Sequence, residues 1–279
     1  MPELPEVEVV RRGLSGEATR SLITSLLPTG ARTFRRHPPG DLERHLLRRR
    51  IEAVDRHGKY LLLRIEGDHT LVVHLGMSGQ FLAAPAGPDR PPHTHLVIGL
   101  GQTSGPDQRE LRFVDPRTFG EVFVTAGHGR PAELAHLGFD PLVDRMTSSR
   151  FAALLAARRM QLKPLLLSQR LVAGVGNIYA DEILWAAALR PDRLASDLSA
   201  ADADTLLREM RRVLRTSVRL GGSTLSDGQY VDVEGAAGRY QERHRAYGRE
   251  GLACARCASP IERIRWGGRS TFLCSKCQL

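Results

Sequence analysis

The chain has 279 residues, long enough for about two domains, and is 42% apolar and 25% charged, an ordinary globular balance. Its longest apolar runs, YLLL, LVVHLGM and PLLL, are core-sized and fall short of the roughly 18 residues of a membrane span, so no membrane partner is expected. The formal net charge of +9, with an isoelectric point near 10.0, suits a polyanionic partner, most simply nucleic acid; the alternative is a generic soluble protein from an arginine-rich proteome. Arginine carries nearly all of that charge, because the only lysines are Lys59, Lys163 and Lys276.

The opening MPELPEVE places Glu3, Glu6 and Glu8 where a secretory signal needs basic residues followed by an apolar stretch, so a cytoplasmic protein is expected. Early acids and a proline fit the first turn of a helix instead. From about residue 20 to 126 the pattern reads mostly as strands. LLLRI (61–65), LVVHL (71–75), HLVIGL (95–100) and LRFVD (111–115) are short, apolar or alternating, and divided by Gly, Pro and Asp. In LRFVD, Leu111 and Phe113 alternate with Arg112, the pattern of a strand covered on one face. APAGPDRPPH (84–93) is too rich in proline for either element and reads as a surface loop.

After HLGFDPL (136–142) the spacing becomes helical in three segments, 148–169, 177–191 and 199–220. In the last, Leu206, Leu207, Met210, Leu214 and Val218 form a stripe to be buried, while Arg208, Arg211, Arg212, Arg215 and Arg219 lie opposite as a solvated face or, less simply, a nucleic-acid contact. Residues 221–250 are glycine-rich and polar and read as a mobile loop, and there is no internal repeat. The four cysteines, Cys254, Cys257, Cys274 and Cys277, make C-x2-C-x16-C-x2-C, the spacing of a four-thiolate structural zinc site, with a redox pair or disulfides as the alternative. Between them, RIRWGGRSTFLC has strand-like flanks around Gly267-Gly268, a two-residue hairpin signal that puts Arg269 at its tip. An arginine there suits contact with phosphates, or plain surface decoration.

Two further features carry chemistry. GVGN (174–177) sits between helices, and a glycine turn before a helix N-terminus offers unpaired N–H groups to a phosphate; with no third glycine and no preceding strand it is not a dinucleotide fingerprint, and a plain helix–turn–helix corner is the bland reading. If Met1 is removed, Pro2 becomes a free secondary amine with an ordinary pKa of about 7.7–8.0. The positive end of a helix dipole favours its neutral form, which can attack a sugar C1′ and form an iminium, with Glu3 beside it to move protons. Without more, the bland reading of a start codon before a helix cap is the simpler one.

More is present, because MPELPEVE, the lysine of HGKYLLL, HLGMSG, DPRTFG, GVGNIYADE, YGREG and the four-cysteine finger occur in one order along the whole chain. Together they resemble the formamidopyrimidine-DNA glycosylases, bacterial base-excision enzymes for oxidised purines; a sister group similar to endonuclease VIII opens with PEGPE, whereas this chain has PELPE. The resemblance implies an α+β fold: an N-terminal β-sandwich with a leading helix, and a C-terminal helical helix–two-turn–helix domain ending in a zinc-finger hairpin. It implies Pro2 as nucleophile and Glu3 as its acid–base neighbour, with Lys59 and Arg269 counted as catalytic through their hold on phosphates at the lesion. Glu6 would order the site, Asn177 would grip the backbone, and Lys163 would take part in lesion handling. Met77, Arg117 and Phe119 would fill the gap left by a flipped base, Arg117 and Phe119 projecting together from an extended segment.

The implied domains are residues 1–135, a linker 136–150, a helical domain 151–250 with a lesion-capping loop, and a finger 251–279, with DNA in a basic cleft. One structural Zn2+, a double-stranded DNA partner containing oxidised purines and a monomeric state complete the expectation. The capping loop 221–238 departs from the family pattern: it is about two residues longer than in familiar members, and Ser226 and Asp227 stand where a basic or aromatic residue is usual, which leaves lesion preference open. An oxidised-pyrimidine glycosylase and a non-catalytic damage-binding zinc-finger protein are the rival readings; the first differs in the base released, the second forms no covalent intermediate.

Overall fold

The computed structural model describes residues 1–38, 40–101, 108–266 and 268–279. Gly267, half of the expected hairpin turn, lies outside the described residues. The chain divides into two compact units, one formed by Met1–Ala135 with Gly221–Arg239, the other by His136–Leu220 with Tyr240–Leu279.

The first unit opens with helix α1 (Leu4–Ala18), whose N-cap residue Glu3 and third helical residue Glu6 form a capping box. Pro5 falls in the first turn, where its missing N–H leaves no bond unmade. Among the described residues eight strands follow: β1 (Leu22–Pro28), β2 (Ile51–His57), β3 (Tyr60–Ile65), β4 (His69–His74), β5 (Gln80–Pro85), β6 (Thr94–Gly101), β7 (Arg109–Val114) and β8 (Glu121–Ala126), with a short helix α2 (Asp41–Leu46) between the first two. They form two antiparallel four-stranded sheets, ordered β1-β6-β7-β5 and β2-β3-β4-β8. Both sheets and α1 feed one core, in which Val7, Val10 and Leu14 meet Leu61, Leu63 and Val73 from one sheet and Phe81, Ile98 and Phe113 from the other. Tyr230 and Val233 belong to that core too. Residues 221–239, which the sequence reading assigns to the helical segment and treats as mobile, therefore pack within the first unit, further held where Ala83 N donates to Val233 O (2.9 Å) and Gln80 Nε2 to Gln229 O (3.0 Å). Two apolar residues in a polar stretch suffice for this.

Arg112 departs from its reading as a solvent-facing strand residue. It is buried, with Nε on Glu110 Oε1 (2.6 Å) and its other nitrogens on Asp89 O and Pro85 O (both 3.0 Å), so the proline-rich loop covers the outer face of β7.

The second unit contains α3 (Ser148–Ala156), α4 (Leu162–Leu167), α5 (Asn177–Ala187), α6 (Ala200–Arg219) and a hairpin of β9 (Glu262–Trp266) and β10 (Arg269–Leu273). The segment 148–169, read as one helical stretch, is two helices. Pro164 inside a continuous helix would clash with the preceding turn; as the third residue of a new helix it does not. Helix α6 starts at a capping box of Ser199 and Asp202 and buries the expected stripe. Arg208 and Arg212 pair locally, with Asp204 (3.0 Å) and Glu209 (2.6 Å), as on a solvated face, whereas Arg211 reaches Pro141 O (3.3 Å) and Met146 O (3.0 Å). Among the described residues no helix is long and apolar enough to cross a membrane.

Candidate functional site

Pro2 and Glu3 are buried at the start of α1, and Met1 ahead of them is 49% exposed. Glu6 joins two distant pieces of chain: Oε2 accepts from the Glu3 N–H (2.9 Å) and Oε1 from the Ser223 N–H (2.7 Å). The loop holding Ser223 is braced by Tyr230, whose hydroxyl donates to Gly221 O (3.0 Å); burial, then the Glu6 carboxylate, keeps that phenol protonated. Glu6 thus orders the loop as well as the N-terminus. Lys59 occupies the tight turn between β2 and β3, since His57 pairs with Tyr60, and it is buried. Near it lies His74, which the sequence reading passed over inside HLGMSG. Its ring packs against Tyr60 (centroids 4.7 Å apart, planes at 43°), and Nδ1 accepts from the Gly76 N–H (3.2 Å). Burial and the Lys59 charge push its pKa down to about 4, so it is neutral near pH 7.

Met77 and Phe119 are 36% and 43% exposed, which excludes the core role that either would ordinarily have. Gly76 explains how their loops come together. Its φ is +65°, and a Cβ there would lie 2.5 Å from Gly120 N and 2.6 Å from the Phe119 carbonyl carbon, so only glycine allows the approach. Asp115 ties the two loops, accepting from Ser78 Oγ (2.8 Å) and from the Gly120 N–H (2.7 Å). The sequence reading missed Asp115, although an acid ahead of a Pro-Arg-Thr turn is the kind of side chain that bonds back to its own backbone. The expected extended geometry around Thr118 is corrected: Thr118 has φ +53°, a left-handed turn. That turn, not strand alternation, brings Arg117 Cζ to 5.1 Å from the Phe119 ring centroid.

In the second unit, Gln169 braces the GVGN turn, accepting from the Gly174 N–H (2.7 Å) and donating to Val175 O (2.6 Å). Asn177 opens α5 and donates to Ser270 O (3.1 Å), while its buried Oδ1 has no hydrogen-bond partner among the described residues. Ser270 follows the exposed Arg269, so Asn177 holds the strand one residue from the other expected backbone-gripping side chain. Lys163, expected to take part in lesion handling, lies at the same place. It is buried, and Nζ reaches Asp181 Oδ1 (2.7 Å), Ser270 O (3.0 Å) and Thr271 Oγ1 (2.9 Å), while Asp181 also accepts from the Phe272 N–H (3.0 Å). These bonds fasten β10 to α5.

The four cysteine sulfurs lie within 4.8 Å of one another, with Cys254–Cys277 at 4.0 Å and Cys257–Cys274 at 3.5 Å. Tetrahedral zinc with bonds of about 2.3 Å requires sulfurs about 3.8 Å apart, so the set fits the ion. Burial opposes ionisation of Cys254, but N–H donors from Arg256 and Trp185 outweigh it and bring the pKa down to about 6. Cys277 is pushed up to about 12, first by Cys257 and by burial. Four thiolates so close need a cation to coexist.

Residues 1–122 match the family described as formamidopyrimidine-DNA glycosylase N-terminal domain, residues 137–229 its H2TH domain, and residues 251–279 the zinc finger found in FPG and IleRS. Curated relatives named formamidopyrimidine-DNA glycosylase include one from a Nocardioides species, 43% identical across 100% of this chain and 94% of its own, and one from Herpetosiphon aurantiacus, 42% identical across 100% of both. Among solved structures, the MutM (Fpg) protein of Thermus thermophilus superposes with a TM-score of 0.87 at 42% identity, covering 99% of this chain and 98% of that one. The Lactococcus lactis Fpg in complex with DNA containing an abasic site gives 0.87 at 31% identity over 99% of both. The finger carries one structural zinc, held by Cys254, Cys257, Cys274 and Cys277.

Proposed function

Because the chain belongs to the formamidopyrimidine-DNA glycosylase family, we propose that it excises oxidised purines, 8-oxoguanine and formamidopyrimidines, from duplex DNA and then cuts the strand as a monomeric cytoplasmic enzyme. The observation that supports this best is the join at Glu6, which holds the Glu3 backbone and the Ser223 loop on one carboxylate beside Pro2. With Met1 removed, the neutral Pro2 nitrogen attacks C1′ as the glycosidic bond breaks and the base leaves with a proton. Glu3 moves protons on the opened sugar. The iminium acidifies C2′, so loss of that proton expels the 3′ phosphate; a second elimination expels the 5′ phosphate and leaves a one-nucleotide gap. Borohydride reduction during reaction with a duplex holding one 8-oxoguanine should yield a stable protein–DNA adduct. An enzyme that incises the strand with no trappable adduct would overturn the covalent route.

The reacting nucleotide must leave the stack, at a cost of a few kcal/mol, and Met77, Arg117 and Phe119 occupy the gap. Phe119→Ala should therefore change stability by less than about 0.5 kcal/mol, as at other surface positions, instead of the 3–5 kcal/mol of a core phenylalanine. Excision of 8-oxoguanine should slow while an abasic strand is cut almost normally; a large fall in Tm with normal excision per folded molecule would contradict the wedge. Arg269 contacts phosphate. Replacing it by Ala should weaken binding to all sequences alike and lower the salt slope by about 1, whereas a loss confined to one base-pair context would mean base reading.

A further inference from the structure

After Glu3 and Glu6, a third glutamate in the opening turns has no work in the proposed chemistry. Glu8 is almost fully buried and surrounded by guanidinium groups: Arg11 Nε donates to Oε2 and its Nη2 to Oε1 (both 3.0 Å), Arg12 Nε donates to Oε1 (2.8 Å), and Arg56 Nε donates to Oε2 (3.1 Å). Burial alone would raise its pKa, yet the Arg11 and Arg12 hydrogen bonds and the Arg56 charge bring it down to about 2, so the carboxylate stays ionised. Arg12 is a surface pair, its side chain 59% exposed. Arg56 is another matter: its side chain is 1% exposed, and Nη1 donates to Gly58 O (2.9 Å). That carbonyl belongs to the peptide joining Gly58 to Lys59, in a turn where Gly58 adopts φ +57°. Arg11 Nη1 adds a second tie to the same strand at Val54 O (3.2 Å).

We infer that Glu8 and Arg56 are positioning residues, which hold the Gly58–Lys59 peptide in fixed relation to the helix that follows Pro2 and Glu3. The inference rests on the phosphate-holding role given above to Lys59. A guanidinium suits the task because two of its nitrogens, held in one plane, bond the carboxylate and the carbonyl at once; an ammonium offers a single nitrogen. The plain alternative is a buried ion pair that only stabilises the fold.

A double-mutant cycle separates the two. Arg56→Lys should slow single-turnover excision of 8-oxoguanine by about 10- to 100-fold, the effect of a small misplacement of a catalytic group, with zinc content and DNA affinity retained. Lys59→Ala should slow it as well, and adding Arg56→Lys to Lys59→Ala should slow it no further, because Arg56 acts through Lys59. Independent, multiplicative losses would overturn the inference. If Arg56→Lys does not fold, Glu8→Gln serves in the same cycle. A structural readout decides the matter apart from activity: the Gly58 carbonyl 13C resonance should move in Glu8→Gln, fifty positions away in sequence, and an unmoved resonance would overturn the strut. Should Lys59→Ala leave the rate unchanged, the role of Lys59 fails, and the resonance alone then judges whether Glu8 and Arg56 hold the turn.

Discussion

Retaining Met1, or any uncleaved N-terminal extension, is expected to lower turnover by at least about 10⁴-fold, the order of loss when an enzyme's nucleophile is removed. The reason is electronic before it is steric. With Met1 attached, the Pro2 nitrogen is a tertiary amide whose lone pair is delocalised into the carbonyl, and it cannot form an iminium. Steric intolerance is not the cause, because Met1 is 49% exposed while Pro2 and Glu3 behind it are buried, so an extension leaves the helix cap undisturbed. DNA binding should survive, since Asn177 and Arg269 belong to the second unit and do not depend on the amine. The check is a pair of measurements on one preparation: single-turnover incision and equilibrium binding, before and after an aminopeptidase exposes Pro2. In the processed protein, peptide mapping of the borohydride adduct should place DNA on the N-terminal peptide. An adduct on Lys59, or normal turnover with Met1 retained, would refute Pro2 as the nucleophile.

Removing zinc should have the second largest effect, and on the opposite function. Cys274→Ser, or chelation, is expected to unfold the finger locally, because structural zinc in small domains supplies about 10–16 kcal/mol of apparent folding free energy. Cys274 is fully buried and directly follows β10, the strand whose Ser270 carbonyl Asn177 and Lys163 both hold. Releasing the strand loses Arg269 and frees Asn177 together. Two charge-assisted hydrogen bonds at about 1.5–3 kcal/mol each give roughly 3–6 kcal/mol, so affinity should fall by at least about 100-fold. The first unit, with its own sandwich core, should keep its thermal transition. Zinc-free protein that binds DNA as well as the holoprotein would remove the metal from this account.

The sequence displayed its chemistry more openly than its packing. Strands β3, β4, β6 and β7 were legible because short apolar runs bounded by turn residues have few other readings. Strand β2 was not: IEAVDRH mixes charges into the alternation, and nothing local says that Arg56 turns inward to meet Glu8, 48 positions earlier. Nor does anything local say that Lys163 bonds Asp181, Ser270 and Thr271, two of them more than a hundred residues away. Thr118 shows the limit at the local scale, since a left-handed threonine is rare and nothing in DPRTFG marks it. At Met77 and Phe119 exposure excludes the core role that the residue types alone would suggest.

The tie from Glu6 to Ser223 spans 217 positions, and the first unit also draws Tyr230 and Val233 into its core. On a ribosome adding about 5–20 residues per second, the leading helix therefore waits roughly ten to fifty seconds for its last partners to be made. The earliest part of the chain to be synthesised is among the last to be finished. A nascent or truncated polypeptide ending at residue 135 would carry Pro2, Glu3 and Lys59 and still lack the carboxylate's second partner. Such a fragment would expose apolar surface where Tyr230 and Val233 belong, and so be handed to quality control rather than released with a nucleophile at its head.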